Sequence, residues 1–402
     1  MLKFYSASNG QVNSRKAIQQ SLTAALGEAP PSIFQEKMLI VVHSTIGHDF
    51  EDVIAGAQEL CPKAELVGCT CAGVIGKEGA NESMRALGVM AVVPGDAQEY
   101  HITSCDNIRG HNSYEEARKM ALELKAAGGH VNMIQFLASG IDIAADRAIE
   151  GIESVFGGDM PIFGGTSSDN MRAISSYQFA DGKVLERGAI MIGYSDPTLT
   201  VEMGVHHGSV PIGQPFSVTR SEGNRVIEIE GQAAWPYLMS KLDLPGDTHP
   251  GPCIPVAGMA ELLPDGFREP YDNDHILRVI VKVDKDGSFY MPVDCPQGTR
   301  LWIVERDEDL IFAGLDRMMK QLVTKIGDQK VVAVFHTDCA ARGRAMFDAI
   351  VKDEIIENMQ QPLTKGTPLP WLGMYGFGEF TRLKGKNLFH NYTTSIYALI
   401  RK

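Results

Sequence analysis

The sequence predicts an α/β fold: two domains of mixed sheets covered by helices, built from three related α-β-α-β-β units. Three observations lead there. Short apolar, β-branched runs alternate with amphipathic runs at helical spacing. The order strand, helix, strand, Gly-rich turn, strand recurs three times, starting near residues 38, 131 and 330. Each occurrence follows one further helical stretch.

The first unit opens with the helix-like RKAIQQSLTAAL and the strand MLIVVHST from Met38. In HDFEDVIAGAQEL, Phe50, Val53, Ile54, Ala57 and Leu60 fall on one helical face, with Asp49 as N-cap and acids in the first turn. AELVGCTCAGVIG then runs from a strand into a turn, and RALGVMAVV is the closing strand. The second unit repeats the order with YEEARKMALELKAA, VNMIQFLASG, DIAADRAIEGIESVF capped by Asp142, MPIFGGTSSDN and RGAIMIGYS. The third has LIFAGLDRMMKQLVTKI, KVVAVFHTDC, ARGRAMFDAIVKDEII with Met346/Ile350 and Phe347/Val351 pairs, PLPWLGMYGFGEF and NYTTSIYALI. Repeats of this length are duplicated α/β subdomains, since solenoid periods are shorter.

Residues 199–309 break the pattern with the strand-rich runs FSVTRSEGNRVIEIEG, ILRVIVKVDKDGSFYMPV and TRLWIVERD, including an Asp286-Gly287 turn. LPGDTHPGPCIPVAG between them is a Pro/Gly-rich loop. A boundary in VHHGSVPIGQPFS gives residues 1–210 two repeat units, and residues 211–402 the strand-rich insertion and the third unit.

With 402 residues, 44% hydrophobic and 22% charged, the chain has ample material for packed cores. A net charge of −13 argues against nucleic acid or an anionic membrane as partner, because phosphates need a basic field. There is no long apolar run and no leader-like start, so a cytoplasmic protein is expected. Seven scattered cysteines fit reduced thiols better than a disulfide framework. Cys69 and Cys71 form the one close pair, a weak metal signal that also suits a buried strand end.

The repeat aligns three glycine-led loops at Gly68, Gly164 and Gly373, and three strand ends: His43-Ser44-Thr45, Ala138-Ser139-Gly140 and His336-Thr337-Asp338-Cys339. Ligands of open α/β sheets collect at such strand ends, near helix N-termini. In FGGTSSDN, Gly164 and Gly165 let the backbone approach a ligand, while Thr166, Ser168, Asp169 and Asn170 offer polar atoms. The same side chains could instead cap the next helix or satisfy a turn. Ser44 and Thr45 suit a cap.

In FHTDCAARGR, Cys339 lies at a strand-to-helix junction beside Arg342 and Arg344. Such surroundings lower a thiol pKa. The two guanidinium groups could also grip a carboxylate. Anion binding, plain structure and a nucleophile aided by His336 are all open readings. One cleft made by Gly164–Asn170 and His336–Arg344 is expected.

The pairing of LVGCTCAG and FGGTSSDN with FHTDCAARGR and GMYGFGEF resembles the FIST proteins, with their FIST-N and FIST-C domains. GVHHGSVPIGQPFSVTRSEGNRVIEIEGQAAWPYL is similar to the entry into FIST-C, and the resemblance covers nearly the whole chain. Cys71 departs from it, standing where a Ser or Thr is expected. The resemblance implies a sensory protein for a small ligand, an amino-acid-like anion or haem with nitric oxide, that regulates a separate partner such as a histidine kinase. The competing class is a cysteine-dependent enzyme using Cys339 or Cys69. For haem, His207 in the junction sequence His206-His207-Gly208 is the candidate axial ligand. His43 and His336, at equivalent places in two repeats, read as structural.

Overall fold

Each repeat builds a sheet whose strands are buried on both faces, which is why they read as continuous apolar runs instead of alternating ones. The computed structural model describes residues 1–95, 99–249 and 258–402. Cys253 and most of the Pro/Gly-rich loop lie outside them. Among the described residues the repeats form three six-stranded sheets. The first runs Lys3–Asn9, Leu87–Val93, Leu39–Thr45, Glu65–Cys71, Tyr177–Ala180, Lys183–Glu186. The second runs Tyr100–Cys105, Ala189–Tyr194, Met133–Ser139, Ile162–Ser167, Gly378–Leu383, Lys386–His390. The third runs Leu199–His206, Thr394–Arg401, Lys330–Cys339, Trp371–Gly376, Val74–Gly76, Gly79–Asn81.

The last two strands of every sheet come from another repeat. The hairpin of the first unit completes the third sheet, that of the second completes the first, and that of the third completes the second. The exchange closes a ring. Each unit also has a strand before its first helix, and for the third unit this is Leu199–His206, antiparallel to Thr394–Arg401.

Helices cover the outer faces. Ile18, Leu22, Val53 and Ala57 pack on Ile40, Val42, Leu87 and Val89 of the first sheet. Met120, Leu124, Ala148 and Ile152 cover the second, and Leu315, Leu322, Ile356 and Met359 the third. The inner faces meet in a shared core containing Val41, Cys69, Met90, Leu137, Phe163, Phe335, Met374 and Tyr397. Burial of each large side chain there stabilises the ring by roughly 1.5–3 kcal/mol.

Asp49 caps the helix Phe50–Leu60, accepting from the Asp52 amide at 3.0 Å. Two other expectations are corrected. The helix after the strand Met133–Ser139 begins at Ala145, and Asp142 does not cap it. Asp142 has φ +64 and pairs with Arg109, while Ser113 Oγ and the Pro292 carbonyl take the amides of Ala144 and Ala145. In ARGRAMFDAIVKDEII only a short turn, Ala340–Arg342, forms before the helix Ala349–Thr364, which Asp348 caps. Both carboxylate oxygens of Glu82 lie 2.9 Å from the Arg344 amide, which takes that donor from any helix. Ile350 is 79% exposed.

The strand-rich segment is inserted between Leu199–His206 and the helix Glu308–Ile326. Its sheet is built on Ser209–Glu222 and Arg300–Arg306, and Phe216, Phe289, Met291 and Ile303 share a core with the helices of the second unit. No helix among the described residues is long and apolar enough to cross a membrane.

Candidate functional site

Strand pairing fixes which residues of the three repeats correspond. Gly68 faces Val42, Gly164 faces Phe136 and Gly373 faces His336 in parallel pairs. At Gly164, φ is +126 and a Cβ would overlap the Phe136 carbonyl oxygen, so glycine is required there. One residue further, His43, Leu137 and Thr337 share a position. His43 and His336 are therefore not equivalent, a correction of one residue that changes the face of the sheet. His336 lies on the helix-covered face, with Nε2 2.8 Å from Thr394 Oγ1 and its ring against Trp371. His43 points between the sheets, with Nδ1 3.6 Å from Cys69 Sγ.

The loop FGGTSSDN is mostly wall. The Gly164 carbonyl accepts from Tyr397 Oη at 2.7 Å, and Gly165 is wedged against Thr337 and Met374. Thr166 is buried, and Ser168 Oγ donates to the Tyr375 carbonyl at 2.7 Å. Asp169 accepts from four successive amides: Arg172 at 2.8 Å, Ala173 at 3.0 Å, Ile174 at 2.9 Å and Ser175 at 3.2 Å. The polar run is thus a turn that caps itself. Asn170 Nδ2 lies 3.6 Å from Met84 Sδ.

What Asp169 holds is nevertheless informative. Met171 and Ala173 have φ of +72 and +53, a conformation that costs non-glycine residues energy and concentrates at ligand sites. Met171, Arg172 and Ala173 line one side of a narrow cleft. Gly140 and Ile141 line its second side, Val279, Ile280 and Val281 of the insertion a third, and Cys339, Ala341, Phe377 and Tyr392 its floor. Its cavity volume is about 60 Å³. The lining is mostly apolar; its one charged residue is Arg172, which is exposed and has no side-chain partner among the described residues. Arg306 adds positive potential, its charge acting on Cys339 and Tyr392. The arrangement suits a small ligand with an apolar body and an anionic end.

Of the residues expected in one cleft, Cys339 lines this one, whereas none of Gly164–Asn170 does; Met171–Ala173, which follow that loop, take its place. Arg342 and Arg344 are corrected out of it. Arg342 donates from Nε to Asp338 Oδ1 at 2.9 Å and from Nη1 to the His207 carbonyl at 3.0 Å. Arg344 Nη1 binds the Glu82 carbonyl at 2.9 Å. Cys339 is buried, and desolvation pushes its thiol up, with Glu379 adding to the effect, so the expected activation is absent. Cys69 is shifted the same way by burial. Behind the floor, the Glu379 carboxyl accepts from Thr393 Oγ1 at 2.6 Å, and full burial raises its pKa well above the usual range.

His207 does not fit an iron ligand as placed. Its Nδ1 accepts from the Ser209 amide at 2.9 Å and its Nε2 donates to the His275 carbonyl at 3.0 Å, so neither nitrogen has a free lone pair. The cleft itself has no histidine in its lining. Val279–Val281 and Met171–Ala173 were missed from sequence. The former looked like any apolar strand, although Gly140 had been marked by its place in the repeat.

Among curated proteins the chain is similar to an uncharacterized protein of Mycobacterium tuberculosis (strain CDC 1551 / Oshkosh), 23% identical over 368 residues and 86% of each chain. An uncharacterized protein of Mycobacterium bovis (strain ATCC BAA-935 / AF2122/97) is 25% identical over 245 residues, 59% of this chain and 61% of that one. Among solved structures, cyanuric acid hydrolase from A. caulinodans aligns with a TM-score of 0.36 at 9% identity, over 100% of this chain and 99% of that one. The FIST N domain matches residues 38–232 and the FIST C domain residues 254–382. The chain belongs to the FIST family, whose domains are generally sensory, ligand-binding signalling domains.

Proposed function

We propose that this protein is a cytoplasmic sensor that binds an amphipathic carboxylate of amino-acid size and regulates a separate signalling protein. A histidine kinase is the partner the family resemblance implies. One observation carries the reading: a mostly apolar cleft bordered by two repeats and the insertion, lined on one side by a strained loop that bears Arg172, a guanidinium with no partner among the described residues. The ligand's carboxylate meets Arg172, and its apolar body displaces water from Val279, Val281 and Phe377. Filling the cleft couples Met171–Ala173 to the insertion, and the filled and empty states then differ in affinity for the partner. Haem is not carried into this reading, because His207 is internally bonded and the cleft supplies no imidazole. The enzyme reading is weaker, since burial holds the Cys339 thiol protonated.

The experiment is a calorimetric binding screen of apolar carboxylates, aromatic and branched amino acids included. Arg172→Ala is expected to weaken the best binder by about tenfold or more, the worth of a charge-assisted hydrogen bond. Val279→Asp is expected to abolish binding. Equal affinity in Arg172→Ala removes the anion from this cleft.

A further inference from the structure

The sequence motif left unused by the cleft is the pair Cys69 and Cys71. Both lie on the inner face of the first sheet, one pleat apart, and both are fully buried in the core shared by the three sheets. Cys69 Sγ is 3.6 Å from His43 Nδ1 and 3.5 Å from Met374 Sδ. His43 is its neighbour in the parallel pair, whereas Met374 arrives from the third sheet, at the position that corresponds to Cys69. The Cys69 thiol thus touches an imidazole from its own sheet and a thioether from the third.

We propose that Cys69, His43 and Met374 form a binding site for a soft monovalent metal ion, Cu(I). The spacing supports it. Donors on metal bonds of roughly 2.0–2.3 Å, held at a near-trigonal angle, sit roughly 3.5–4 Å from one another. Both separations lie in that range. The donor set selects the metal, because thiolate and thioether favour Cu(I), while oxygen ligands for a hard cation are missing from the trio. Charge selects it too. Cu(I) on a thiolate is neutral overall, so the pair can occupy a site with no solvent, whereas a dication would leave a net buried charge. Binding is a substitution without redox change: the metal replaces the Cys69 thiol proton, which leaves to solvent as the sulfur–copper bond forms.

The test uses the full chain under anaerobic, reducing conditions. One sample is unfolded and refolded with one equivalent of Cu(I), so that entry into the native core is not needed; another receives Cu(I) after folding. Copper kept against bicinchoninate is counted, and X-ray absorption at the copper edge reads the donors. Retention of about one copper per chain in either sample, with a shell of two sulfurs and one nitrogen, is expected. Cys69→Ala is expected to release it. Met374→Leu, which conserves core volume, is expected to lower affinity by about tenfold or more while far-ultraviolet circular dichroism stays unchanged. Cys61→Ala and Cys71→Ala should keep the copper. Retention that is unaltered in Cys69→Ala and Met374→Leu, a shell without nitrogen, or no retained copper in either wild-type sample overturns the site.

Discussion

Arg342 reaches back four residues to Asp338, Nε to Oδ1 at 2.9 Å, with the two side chains 1% and 2% exposed. Burial pushes the Asp338 carboxyl up while the guanidinium opposes it. Removing the cation leaves an uncompensated buried acid. Arg342→Ala is expected to destabilise by about 3–5 kcal/mol, and Arg342→Met with Asp338→Leu to recover much of that loss. Urea denaturation of the two variants measures both.

Asp169 organises the cleft loop through four amides. Asp169→Ala frees them and is expected to cost about 1–3 kcal/mol locally. Hydrogen exchange at Arg172–Ser175 should accelerate while the protection of Met133–Ser139 stays the same. Ligand affinity in the cleft should fall with it, because Arg172 loses its placement.

Gly164→Ala places a Cβ on the Phe136 carbonyl at φ +126. A loss of at least about 2 kcal/mol is expected. Gly213, also at positive φ but with open space around it, should lose less on the same change. A thermal melt of the two variants compares them.

Acid should unfold the protein early. Burial holds His43, His206, His207 and His336 near a pKa of 3, below the ordinary 6.5. The native state then binds fewer protons than the unfolded chain below pH 6.5. Stability is complete above that value and is lost as pH falls from 6.5 toward 3, by up to ~1.4 kcal/mol per pH unit for each histidine. Glu379, raised by burial, works in the opposite direction. Urea midpoints measured from pH 7.5 to 5 should decline.

The halves should not fold separately. A fragment of residues 1–210 lacks the hairpin Gly378–His390, which leaves Ile162–Ser167 an unpaired edge, and its own hairpin at Val74–Asn81 has no third sheet to join. Exposed edges of that kind aggregate. Gel filtration of the fragment is expected to show aggregates, and co-expression with residues 211–402 to restore a soluble complex.

The sequence by itself determined the parts whose cause is local. Apolar runs became strands, Asp49 capped its helix by accepting the Asp52 amide three residues on, and the threefold order became three sheets. Gly164 was marked because only a residue without a side chain suits its backbone. Asp142 failed as a cap because Ser113 and Pro292, distant in sequence, satisfied the amides first. The ARGR helix failed because Glu82, 262 residues away from Arg344, took its donor. Tertiary structure alone decided the exchange of hairpins, the pairing that separates His43 from His336, and the meeting of Met374 with Cys69. Faces of a strand alternate with every residue, so one step of register, set by the partner strand, moves a side chain from the helix-covered face to the central core.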